Sequence, residues 1–341
     1  MTKIVETSLR IRKEALRSSF STSLRSVSEL EVVEFHIKTD DGFNVFGETV
    51  ATPAITGETL NAIQSDLGGA LTTAILNKSF ESPGSFYRDH IQDEVATSSA
   101  KSAVDLALYE LAAAMAATSL RELLGCKVSE VESDVTVPLS EIEEIPKLLA
   151  SRSEFTSFKV KLGSEDMDIR VEKIQLIRDI AGTNSTIRVD PNQAWSVEES
   201  IEFLKEVEKR GLDIEYLEQP ISAQNKAGLA QIRAQSQTKI MADESIFTVM
   251  DLEELVRLNA IDLINIKIIK SGGITPAIGI IKRARELGIE FSIGTMMEGD
   301  KGVLAAVLLA GAYRADYCHD LDAAWWAATS SLKYSESKVC I

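Results

Sequence analysis

The sequence predicts an α/β protein: a (β/α)7β-type TIM barrel preceded by an N-terminal α+β capping domain. Three observations lead there. Between Lys159 and Asp322, charged residues close short β-like runs at a nearly constant interval. Lys161, Asp190, Glu218, Asp243 and Lys267 follow one another by 29, 28, 25 and 24 residues. Such a step fits one strand, one helix and two loops, and charged side chains at strand C-termini are how a barrel builds a site from distant segments. After Gly125 the pattern alternates β and α, whereas the residues before it read as strands followed by helices. With 341 residues, the chain has room for a barrel and a smaller unit.

The N-terminal unit, 1–125, starts with β-like alternation over 3–14 and 30–39. Asp40-Asp41-Gly42 is a turn signal, and 43–50 reads as a third strand. The serine-rich stretch from Arg17 to Ser26 is long for a hairpin connection, and its composition suits a lid loop. Segments 57–76 and 98–124 read as helices. The second carries Val104, Leu108, Leu111 and Met115 at helical spacing and ends at Gly125.

Eight barrel strands are expected, at 134–140, 155–163, 186–193, 214–220, 239–245, 263–271, 290–298 and 316–323. Amphipathic segments such as 168–181 and 196–210 lie between them. The barrel thus spans 126–323. Little room remains for an eighth helix, and Trp325, Trp326 and Tyr334 suggest a tail, 324–341, that packs back on the capping domain. The glycines of Lys270-Ser271-Gly272-Gly273 read as an ordinary βα turn.

Composition narrows the function. A formal net charge of −16 and a pI near 4.8 oppose binding to nucleic acid or an anionic membrane. Three cysteines without CxxC spacing, and a charged N-terminus without a signal-peptide core, point to the cytoplasm. A homo-oligomer is compatible with all of this.

Residues i and i+2 of a strand share a face. Lys159 with Lys161, Asn265 with Lys267, and Asp320 with Asp322 therefore converge if the strands close. Asp190, Glu218 and Asp243 form an all-oxygen set from successive strands, which suits Mg²⁺ rather than zinc. The alternative, carboxylates that merely pair with nearby lysines, would hold for one Asp more readily than for three at consecutive strand ends. Lys161 and Lys267 come from nearly opposite strands. One lysine on each face of a carboxylate substrate can remove an α-proton and return it from the other side, inverting the carbon through an enediolate. Lys270, expected on the opposite face of a regular strand, is the weaker choice for the second base.

Lys-Val-Lys at 159–161, Asp-Pro-Asn-Gln at 190–193, Glu-Gln-Pro at 218–220, Ala-Asp-Glu-Ser at 242–245 and Asn-Ile-Lys-Ile-Ile-Lys-Ser-Gly-Gly at 265–273 resemble the enolase superfamily, muconate lactonizing enzyme subgroup. The resemblance covers essentially the whole chain. It implies Mg²⁺ on Asp190, Glu218 and Asp243, an acid/base pair in Lys161 and Lys267, and enolate stabilisation by Lys159. Pro191 stands where many relatives have alanine. Asp320-Leu321-Asp322 resembles the dipeptide epimerase signature, in which the pair receives the substrate's α-ammonium. Arg25 resembles an arginine that binds the acidic second side chain of Ala-Glu substrates, and Thr136 a substrate-contacting position. The implied activity is Mg²⁺-dependent epimerisation of the C-terminal residue of a dipeptide, with L-Ala-D/L-Glu as first substrate. An N-acylamino-acid racemase or o-succinylbenzoate synthase is the alternative, and a non-catalytic barrel that binds small acids the third.

Overall fold

The computed structural model describes residues 2–341. It opens with an antiparallel sheet of three strands in sequence order, Ile4–Ser21, Ser26–Thr39 and Asn44–Val50. The second strand is buried on both sides along its middle. Val33, Phe35 and Ile37 enter one apolar cluster with the helix Ser98–Met115, while Leu30 and Val32 enter the other, larger cluster.

The long serine-rich loop expected after Arg17 is mostly strand. The first strand runs to Ser21, the second starts at Ser26, and Thr22 N donates to the Arg25 carbonyl at 2.8 Å to close a tight turn. Phe20 pairs with Val27, and Leu16 and Phe20 are buried in the larger cluster. That apolar anchorage outweighs the loop-like composition. The helix expected over 57–76 is broken into Leu60–Asp66, a π-turn at Leu67–Leu71 and Thr72–Ile75. The expected helix 98–124 stops at Met115 and resumes as Leu120–Leu124, where Ser119 and Glu122 form a capping box.

Seven parallel strands follow, again in sequence order: Val135–Val137, Ser157–Lys161, Thr186–Asp190, Tyr216–Glu218, Lys239–Ala242, Leu263–Lys267 and Glu290–Gly294. Nearly every residue of these strands is buried, apolar and charged alike, as suits a sheet covered by helices. The helices Val197–Lys209 and Val249–Arg257 each begin with a capping box, at Ser196 and Thr248. The segment expected as an eighth strand, 316–323, makes isolated parallel bridges instead. His319 pairs with Ser133 at one edge of the sheet and Asp320 with Gly294 at the other. The chain then turns at Asp322 into the short helix Ala323–Trp326, so regular pairing ends there.

The C-terminal strands Lys333–Ser335 and Lys338–Cys340 form a second antiparallel sheet with Glu130–Glu132. Just before them, Ala327 bridges Leu16 on the N-terminal hairpin. Among the described residues, no helix is long and apolar enough to cross a membrane.

Candidate active site

Asp190 and Lys161 end their strands, Glu218 ends the next, Asp243 follows Ala242 directly, and Lys267 closes a fifth. All five are buried. Asp190, Glu218 and Asp243 each offer an oxygen, and these oxygens lie within 4.8 Å of one another. Lysines stand around them. Lys161 Nζ donates to Asp190 Oδ2 at 2.6 Å and Lys267 Nζ to Asp243 Oδ2 at 2.8 Å. Lys159 Nζ donates to Glu218 Oε1 and to Asp320 Oδ2, each at 2.8 Å.

The electrostatics follow from burial and these pairs. Burial alone would discharge Lys159, but Asp320, Glu218 and Asp190 hold its pKa well above the usual lysine value. Burial likewise opposes the charge on Asp190, yet Lys161 and Lys159 keep its carboxyl below the ordinary range. Burial is the largest single influence on Lys267 and lowers its pKa, but Asp243, Asp320 and Glu218 together hold it above the usual value. Glu218 is pushed up to about 7, by burial first and then by Asp190 and Asp243.

Glu218 Oε2 is buried with no hydrogen-bond partner. An unsatisfied carboxylate oxygen is costly in such a place. Three converging carboxylates, one carrying a free oxygen and none joined by an imidazole, fit a hard divalent cation.

Above this layer lies a cavity. Thr136, Lys161, Lys267, Asp320, Asp322 and Arg25 all line it, with Phe20 and Leu24 from the hairpin, Ile55, Asn192, Thr295, Met296 and Met297. Of the residues singled out in the sequence, Lys159 and the three carboxylates lie beneath the cavity rather than on its wall. Asp322 Oδ2 accepts from Thr136 N at 2.7 Å and from Trp326 Nε1 at 2.9 Å. Its pKa is raised by burial and then by Asp320. Arg25 reaches the cavity from the hairpin turn, and burial lowers its pKa to about 10. The turn is fastened over the site by Ser23 Oγ, which donates to the Pro191 carbonyl at 2.7 Å.

Lys270 departs from its expected place. The chain leaves extended geometry after Lys267 and forms a short helical turn, Ile268–Ser271. Lys270 therefore swings back under the site, where its ammonium donates to the Asp243 carboxylate and to the Asn265 carbonyl at 3.1 Å. It does not line the cavity.

Several contributors have no role assigned from the sequence. Asn265 Nδ2 donates to Glu218 Oε1 at 3.0 Å and to Asp320 Oδ2 at 3.2 Å, joining two carboxylates from different segments. Gly294 makes this possible, because a Cβ there would meet Asn265 Oδ1 at 2.4 Å and Lys267 Cε at 2.9 Å. Glu244 is buried beside Asp243, accepts from Asn192 Nδ2 at 3.2 Å, and is pushed up to about 8 by burial and its acidic neighbours. The shared strand face of Asn265 and Lys267 was a usable signal. Nothing marked Gly294 or Ser23.

Comparison with known proteins bears on the same two units. Residues 4–125 match the family profile of the mandelate racemase / muconate lactonizing enzyme N-terminal domain, and residues 143–338 match that of the enolase C-terminal domain-like family. The chain belongs to the enolase superfamily. This enolase-superfamily protein is 34% identical over 310 residues to the L-Ala-D/L-Glu epimerase of Bacillus subtilis, covering 90% of this chain and 85% of that protein. Its fold superposes on a substrate-liganded complex of the Bacillus subtilis epimerase with a TM-score of 0.93 at 33% identity, covering 99% and 96% of the two chains. It superposes on a dipeptide epimerase from Enterococcus faecalis, complexed with Mg and L-Leu-L-Tyr, with a TM-score of 0.90 at 29% identity, covering 99% and 97%.

Proposed function

We propose that this protein is a Mg²⁺-dependent dipeptide epimerase that inverts the α-carbon of the C-terminal residue, with L-Ala-D/L-Glu as its first substrate. The observation that carries this reading is one cavity lined both by two lysines, Lys161 and Lys267, and by the buried carboxylates Asp320 and Asp322. Similar proteins named as L-Ala-D/L-Glu and hydrophobic dipeptide epimerases support it.

Asp190, Glu218 and Asp243 would hold the Mg²⁺, which when bound offsets negative charge developing on the substrate carboxylate. Lys161 and Lys267 are the acid/base pair. The lysine on one face takes the α-proton, and the lysine on the other returns a proton to the opposite face. The one that accepts must first be neutral, and the one that donates must be charged. Lys159, held cationic by its carboxylates, lies beneath the site and stabilises the enediolate. Asp320 and Asp322 receive the free α-ammonium, and Thr136 contacts the substrate beside them. Arg25 takes the acidic second side chain.

We also read residues 1–125 as a capping domain, 126–323 as a (β/α)7β barrel and 324–341 as a tail. The bridges of His319 and Asp320 to the two edges of the sheet support closure. A cytoplasmic location fits three unpaired cysteines, and a charge of −16 argues against nucleic acid or an anionic membrane as partner.

The deciding experiment is incubation with a dipeptide library in D₂O with Mg²⁺, reading α-deuteration and inversion together. Inversion with deuteration at the second residue of free-amine dipeptides is expected. Turnover restricted to N-succinyl amino acids would transfer the assignment to the racemase alternative.

A further inference from the structure

The dipeptide reading assigns the ammonium to Asp320 and Asp322 but leaves open what holds Asp322 in place. Asp320 is fixed by Lys159 and Asn265. Asp322 has no such cation. Its Oδ2 is held by two N–H donors, one from the Thr136 backbone and one from the indole of Trp326. The same oxygen accepts both, and neither donor bonds Oδ1.

Trp326 does not line the cavity and is 1% exposed. Its ring stands edge-on to Phe20, the wall residue near the hairpin tip, with centroids 5.1 Å apart at 85°. On its other side the guanidinium of Arg152 lies 4.9 Å from the ring centroid, and Arg152 Nε donates to the Thr136 carbonyl at 3.0 Å. Trp326 thus meets two parts of the cavity lining, the Asp322 carboxylate and Phe20 of the hairpin. Tryptophan suits such a place because it joins a large apolar ring to a single N–H donor.

We propose that Trp326 is a positioning residue for recognition of the substrate's free ammonium, orienting Asp322 through its indole N–H and backing the hairpin at Phe20. This rests on the dipeptide reading of the site. A ring that only filled space would serve equally well as phenylalanine. A ring that aims Asp322 would not, since removing its donor frees the carboxylate to rotate away from the ammonium.

The test is a double-mutant cycle on the full chain with Mg²⁺ and L-Ala-L-Glu, using Trp326→Phe, Asp322→Ala and the two combined. Trp326→Phe is expected to raise KM about tenfold with a much smaller change in kcat, the effect of one hydrogen bond to a charged group. In the Asp322→Ala background it should change KM by less than about twofold, because no carboxylate remains to orient. A loss of equal size in both backgrounds, or none in the wild type, overturns the proposal and leaves Trp326 a packing residue. If Asp322→Ala itself leaves KM unchanged, the ammonium assignment fails first, and the proposal fails with it. Should Trp326→Phe not fold, benzothienylalanine at 326 keeps both fused rings and loses only the N–H. It should show the same KM rise, and a wild-type KM would refute the role.

Discussion

Arg25→Met is the sharpest perturbation of specificity. Burial lowers the Arg25 pKa to about 10, with no carboxylate contributing. At 1.36 kcal/mol per unit, and after allowing for its partial exposure, the guanidinium loses roughly 2–3 kcal/mol of solvation that an acidic ligand can restore. Truncating a desolvated charged partner in a complex typically costs about 2–5 kcal/mol. Arg25→Met should therefore lower kcat/KM for L-Ala-L-Glu by about 30- to 150-fold. For L-Ala-L-Leu the change should stay within about threefold, since methionine keeps the aliphatic stem over the cavity. The free protein should melt at the same temperature or higher, because an unpaired cation has left a half-buried position. Loss of the α-proton signal in D₂O by NMR gives both rates, and a thermal melt gives the third value. Equal losses on both substrates would refute the reasoning, as would a marked fall in melting temperature.

Exhaustive chelation should abolish epimerisation and Mg²⁺ should restore it. Glu218→Gln should stay folded by circular dichroism yet show no turnover on adding Mg²⁺. Lys161→Ala and Lys267→Ala should each stop inversion, while one epimer still exchanges its α-proton in D₂O through the surviving lysine; normal epimerisation by Lys267→Ala would reassign the base. Asp105 offers a pH test remote from the site. It is buried between Ser98–Met115 and Thr275, whose backbone N–H it accepts at 2.7 Å, and burial raises its carboxyl to about 7. A raised acid favours the folded state below its unfolded pKa and loses that contribution as pH climbs. The wild type should thus lose stability through Asp105 between about pH 4 and 7, and Asp105→Asn should flatten that slope in urea titrations. Parallel slopes for the two proteins would count against it.

Much of this was legible because the chemistry sits at strand ends. Period-2 alternation fixes which side chain faces inward, so Lys159, Lys161, Asp190, Glu218, Asp243 and Lys267 were recoverable from spacing and residue type. Lys270 was misplaced because the helical turn at Ile268 breaks the period, and no sequence signal separates that turn from two further strand residues. The hairpin was read as a loop because serines on its exposed edge hid the burial of Leu16 and Phe20, which depends on a partner far along the chain. Gly294, and the hydrogen bond from Trp326 to Asp322, lie beyond sequence reasoning for the same cause. Each matters through a contact with another segment, which residue type alone does not reveal.

The seam between Leu16 and Ala327 has a consequence for biosynthesis. Arg17 Nε donates to the Ala327 carbonyl at 2.9 Å, and Ala328 N donates to the Ala15 carbonyl at the same distance, across more than 300 positions of sequence. N-terminal elements fold first on the ribosome. The hairpin can form early, but Ala327 and Ala328, which hold its first strand at Ala15 and Arg17, follow more than 300 residues later. A nascent chain therefore lacks this seam until residue 328 has left the ribosome. A chain ending before residue 326 would lack both this seam and the Trp326 indole that holds Asp322.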